Sequence, residues 1–167
     1  MNQTVIDTIT SFLESIGLSV VTRNIEKETF LPGLLLENGK IIIDPDKLLY
    51  PGDILHEAGH LAAYEPAVRE TIGDPLPAYM IDGFEMMALA WSYAACLHIK
   101  LDPAVVFHDD GYKGEGSHLV QTFAQGGYIG LPMLQYLGLA YDKKKAAELN
   151  ALPYPNMIRW LRETQTI

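Results

Sequence analysis

His56-Glu57-Ala58-Gly59-His60, preceded by Asp53-Ile54-Leu55 and followed by Leu61-Ala62-Ala63, is the stretch from which the rest of the chain can be read. The apolar residues around it predict a helix from about Asp53 to Tyr64, with Pro51-Gly52 ahead and Pro66 beyond its end. On a helix, side chains four residues apart share a face, so His56 and His60 can each turn a ring nitrogen toward one ion. Glu57 is rotated away from that line and is placed to reach a water molecule at the ion rather than the ion itself. Two imidazoles, a carboxylate base and an open position are the parts of a hydrolytic zinc site. The spacing also arises by chance among five histidines in 167 residues. The setting argues against chance: polar side chains on a largely apolar helix need partners, and one divalent cation satisfies all three.

Working outward, Leu34-Leu35-Leu36 and Ile41-Ile42-Ile43 flank Glu37-Asn38-Gly39-Lys40, and Asn-Gly between apolar runs predicts a β-hairpin. Before it, Val5, Ile6, Ile9, Phe12, Leu13 and Ile16 recur at helical spacing up to Gly17, and residues 18 to 22 read as a short strand. After the motif, residues 66 to 80 carry Pro66, Gly73, Pro75 and Pro77 and predict a loop with one helical turn near Val68. A helix from Asp82 to His98, apolar nearly all round, is expected to be central, with Trp91, Tyr93 and Cys96 in the core. Further helices are expected over 117–125, 131–139 and 142–150, and a last one from Pro155 through Arg162. These elements predict an α+β chain, mostly helical, in a single domain spanning 1–167.

The net charge of −9 opposes sequence-independent binding to nucleic acid or to an anionic membrane. One cysteine excludes an intrachain disulfide and a thiolate-built zinc site. The first residues show no signal peptide and no run reaches membrane-spanning length, so a cytoplasmic location is expected.

Catalytic zinc usually takes three protein ligands. The metzincin pattern would put Gly and His at positions that here hold Ala63 and Pro66, and a deformylase-like site needs a cysteine upstream of the motif, whereas Cys96 is downstream. Glu85 is the leading candidate, because a carboxylate in so apolar a helix needs a cation or a hydrogen-bond donor. Asp82, three residues earlier, is the alternative, and helix capping accounts for it equally well. His98, His108 and His118 are further candidates. A group to stabilise a developing oxyanion is sought among His118 and Tyr128, with His108 and Tyr112 beside them.

The hairpin, the His56–His60 motif, and the downstream Glu85-Met86-Met87-Ala88 continued by Trp91-Ser92-Tyr93-Ala94-Ala95 together resemble the ImmA/IrrE family of small zinc metallopeptidases, of gluzincin type. The resemblance covers about residues 30 to 97 and departs at Leu89, where family members often carry Asn. It implies a zincin-like minimal core, a small antiparallel sheet packed on the motif helix. It implies Zn²⁺ held by His56, His60 and Glu85, with Glu57 as catalytic base. The expected function is hydrolysis of a peptide or protein substrate by zinc-bound water that Glu57 activates. The alternative is a non-catalytic zinc-binding regulatory or protein-interaction module of the same fold. The helix-turn-helix domain that often accompanies the family is not expected within these residues.

Overall fold

The computed structural model describes residues 2–76 and 78–164, and the side chains of 78–83 lie outside that description. The chain has the expected α+β architecture. Helix α1 (Asn2–Ser15) buries Ile6, Ile9, Phe12 and Leu13 on one face. It leads into β1 (Ser19–Thr22), and a loop over 23–33 carries the chain to β2 (Leu34–Glu37) and β3 (Lys40–Ile43). The β2–β3 turn is the one the sequence predicts: Asn38 and Gly39 both have positive φ, 49° and 72°. Glycine is needed at 39 for a second reason, since a Cβ there would lie 2.4 Å from the Arg69 carbonyl oxygen.

The sheet itself is mixed rather than antiparallel throughout. β2 pairs antiparallel with β3, Leu35 facing Ile42, while β1 lies parallel along the other side of β3, Val20 facing Ile41, giving the order β1-β3-β2. Alternation along the hairpin sends Leu34, Leu36, Ile41 and Ile43 into the main core. Leu35 and Ile42 go to the other face, where they meet Ile25.

The motif lies on α2 (Gly52–Ala62), followed by the short α3 (Pro66–Arg69). Helix α4 (Ala78–His98) starts four residues earlier than Asp82. It is central as predicted: Met87, Ala88, Ala90, Trp91, Ala94, Ala95 and Cys96 are all buried. Helices α2 and α4 approach closely at Gly59, where a Cβ would come 3.1 Å from the Ala88 Cα. Buried Ser92 ties the pair, its hydroxyl lying 2.6 Å from the Ala88 carbonyl and 3.3 Å from that of Leu55. Trp91 and Tyr93 are core residues: the Trp91 indole N–H donates to the Trp160 carbonyl at 2.8 Å, and Tyr93 stacks with Phe123.

Two 3₁₀ turns (Pro103–Val105 and Asp109–Gly111) precede α5 (Gly116–Ala124), α6 (Leu131–Tyr136) and α7 (Lys143–Glu148). Asp142 caps α7 by accepting from the Lys145 N–H at 2.8 Å. The helix expected from Pro155 to Arg162 does not form. There the backbone makes long-range bonds instead, Ile158 N–H to the Leu139 carbonyl and Arg162 N–H to the Ala62 carbonyl, which leaves no helical ladder to build. Among the described residues, no helix is long and apolar enough to cross a membrane.

Candidate metal centre

Helix α2 turns His56, Glu57 and His60 into a cavity of about 760 Å³. One ligand atom from each of the three lies within 4.8 Å of the others, a group that can hold a metal ion. A second carboxylate comes closer to the imidazoles than Glu57 does. The Nε2 atoms of His56 and His60 are 3.2 Å apart, and Glu85 of α4 places one carboxylate oxygen 3.0 Å from the first and the other 2.9 Å from the second. Ligands bound tetrahedrally at about 2.0–2.1 Å stand roughly 3.3 Å apart, so these spacings are close to those of a zinc ligand set. One proton between the two rings would leave part of the set unsatisfied, whereas one cation at its centre serves all three groups. The donors present therefore fit a divalent metal.

The two carboxylates differ in their surroundings. Burial works to raise the Glu85 pKa, but hydrogen bonds from His56 and His60 outweigh it and hold the carboxyl well below the usual range. Glu57 has no hydrogen-bond or ion-pair partner among the described residues. Burial, reinforced by the charges of Asp74, Glu85 and Asp53 and opposed by His60, raises it to about 7. A carboxyl poised near neutrality beside an open cavity is suited to proton transfer.

Two further groups face the histidines across the cavity. The Tyr112 hydroxyl lies 3.5 Å from His56 Nδ1. An Nδ1–H donated to that hydroxyl leaves the Nε2 lone pair for a cation, the usual arrangement behind a metal-bound histidine. Burial and the neighbouring carboxylates raise the Tyr112 pKa above its ordinary value, so its proton stays available for donation. His108 accepts at Nδ1 from the Gly111 N–H at 3.1 Å, so Nε2 carries the proton and donates to Asp53 at 2.8 Å. His108 is therefore held as a neutral ring with both nitrogens engaged. It stacks face to face on Tyr50, whose hydroxyl bonds Asp110.

His118 and Tyr128 are not brought to this site. Helix α5 turns Phe123 into the core and leaves His118 exposed on another face, and the Tyr128 ring packs on Tyr154 at 4.6 Å. His98 is exposed at the far end of α4, against Phe12 and Trp160. The Asp82 side chain lies outside the described residues.

Asp53, Tyr50 and Asp74 line the cavity although the sequence marked none of them for it. Asp53 carried a helix-start reading that fits its first-turn position equally well. Asp74 is the least expected. Its carboxylate accepts from the Leu36 N–H at 2.8 Å and its own N–H donates to the Leu36 carbonyl at 3.0 Å. The outer edge of β2 beside the cavity is thus occupied at Leu36, where an extended peptide added to the hairpin would pair.

Comparison of the chain with models of known families, with characterised proteins and with solved structures gives no match.

Proposed function

We propose that this protein is a zinc-dependent metallopeptidase, similar in its motif and ligand set to the ImmA/IrrE family. The observation that carries this reading is the convergence of His56, His60 and Glu85, the two Nε2 atoms 3.2 Å apart and each within 3.0 Å of a Glu85 oxygen, with unpartnered Glu57 beside them in an open cavity. His56 Nε2, His60 Nε2 and the Glu85 carboxylate would hold the ion. Bound there, zinc would supply Lewis-acid polarisation of a peptide carbonyl and lower the pKa of water. Glu57 takes the proton of the attacking water as its oxygen adds to the carbonyl carbon, and delivers it to the amine nitrogen as the C–N bond breaks. Of the four groups the sequence offered as oxyanion stabiliser, His118, Tyr128, His108 and Tyr112, we assign the role to Tyr112, whose hydroxyl lies 3.5 Å from His56 Nδ1.

The test is metal analysis of the purified protein together with hydrolysis of a mixed peptide library. Zinc at one per chain and cleavage that disappears in Glu57→Gln while zinc stays bound are the expected results. Full cleavage by that variant would overturn the mechanism. One observation favours a second reading, a zinc-binding interaction module without catalysis: Asp74 already occupies the β2 edge. In that case zinc binds and no peptide is cut by either protein.

A further inference from the structure

Three carboxylates of the cavity meet uncharged groups, with no described lysine or arginine beside them. Four glutamates elsewhere on the chain meet cations: Glu37 pairs with Arg23, Glu65 with Arg162, Glu148 with Lys145 and Glu163 with Arg159. Within the cavity, no lysine or arginine is among the described lining residues. Asp53 is bonded by the neutral His108 ring, Asp74 by a backbone N–H and Asp110 by the Tyr50 phenol. Each of these donors is uncharged, so none of these hydrogen bonds sets a positive charge against the carboxylate it meets. Largely buried Glu57 faces the same space with no partner among the described residues. One divalent cation would neutralise Glu85 and one further charge, and the cavity would still be anionic. Clefts lined by one sign of charge concentrate ligands of the other sign.

The three aspartates are not equally available. Asp53 is 8% exposed and locked by His108, and Asp74, though exposed, is tied to the β2 edge through its carboxylate and its own N–H. Asp110 is exposed, on the turn that follows His108. Another wall is apolar: Phe30, whose side chain is fully exposed, stands with Leu31, Pro32 and Leu76. A ligand suited to both walls carries an apolar side chain and a positive charge a short distance apart.

Resting on the peptidase reading, we infer that the cleft selects peptide segments bearing a lysine or arginine near an apolar residue, and that Asp110 is the residue that recognises the positive charge. The experiment uses zinc-loaded Glu57→Gln protein and two fluorescent octapeptides that differ only in Lys against Glu beside a central leucine. By anisotropy, the lysine peptide should bind about tenfold or more tightly, the preference shrinking at high salt. Adding Asp110→Asn should reduce the preference severalfold, while Glu14→Gln on the exposed face of α1 should not. Equal binding, no binding of either peptide, or a preference that Asp110→Asn leaves intact would overturn the inference. Cleavage by the unmodified protein separates it from the reading beneath. Charge-blind cleavage overturns the cationic subsite and leaves the peptidase standing. Charge-selective binding without cleavage of either peptide does the reverse.

Discussion

Three acids show how partners decide the state of a carboxyl in this protein. Glu85 is held below its usual range by two imidazoles, and Glu57, with no partner, is pushed up to about 7. Asp44, 3% exposed at the end of β3, is held down by the backbone N–H of Ile25 at 2.9 Å, against the opposing effect of burial, with help from the Asp46 N–H and Lys47. Its folded pKa lies below its unfolded one. The stability it contributes is therefore present above about pH 4 and lost as the pH falls through the lower, folded value. Asp44→Asn should melt below the unmodified protein at pH 7, and the gap should narrow in scans taken toward pH 2. A gap that stays constant would show that shape, not charge, holds the Ile25 loop. At Cys96 burial is the main cause, reinforced by the charge of Asp102. Its thiol is raised to about 12 with the side chain inaccessible, so an aromatic disulfide reagent at pH 8 should label it only after denaturant is added.

At the scale of elements, the site depends on how closely two helices approach. Glu85 reaches the histidines because α4 lies against α2 at Gly59 and Ala88, one turn beyond the carboxylate. Gly59→Val would force its branched side chain against α4 backbone that has no room for it. Overpacking of this kind costs about 1–3 kcal/mol. On the proposed ligand set it should also lower zinc affinity by tenfold or more, since the Glu85 oxygens would move away from the imidazoles. Denaturant unfolding of the chelated protein and zinc titration read the two effects separately, and an unchanged zinc affinity would detach Gly59 from the site. The elements legible in the sequence are those fixed locally. The hairpin is set by Asn38-Gly39, the motif helix by its apolar neighbours, and α4 by its uniform hydrophobicity. The place of Glu85 beside the histidines was legible as well, because an acid in the interior of such an apolar helix needs a partner. What escaped was set by long-range pairing that leaves no periodic trace. Asp74 reaches Leu36 across thirty-eight residues, and His108 reaches Asp53 across fifty-five. The segment after Pro155 looked like a helix start because proline suits a first turn, but its N–H groups were already committed to Leu139 and Ala62.

Those commitments show how the whole molecule closes around the motif helix. The C-terminal end of α2 leaves carbonyls with no partner inside the helix, and cationic groups suit that end. Arg69 meets the need from α3. Its Nε donates to the Leu61 carbonyl at 3.0 Å, and its terminal nitrogen to the Tyr64 and Arg162 carbonyls at 2.7 Å each. Arg162 reciprocates through the Ala62 carbonyl, the Ala63 carbonyl at 3.2 Å and Glu65 at 3.3 Å. Two residues earlier, the Trp160 carbonyl accepts from Trp91 of α4, and its ring packs edge-on against Phe12 of α1. One arginine thus joins the motif helix to the last segment of the chain, and through it to α4 and α1. Hydrogen bonds to a charged group are worth about 1.5–3 kcal/mol, and carbonyls left buried without a donor add to the loss. Arg69→Ala should therefore cost about 2–3 kcal/mol, a fall in Tm of roughly 4–12 °C for a domain of this size. Arg69→Lys should recover only part of it, because an ammonium cannot match the planar fork across three carbonyls. Limited proteolysis gives the sharper test. In Arg69→Ala the chain beyond Pro153 should be cut before any other region, and cleavage that begins elsewhere would show that the aromatic packing of Trp160 holds the segment without the clasp.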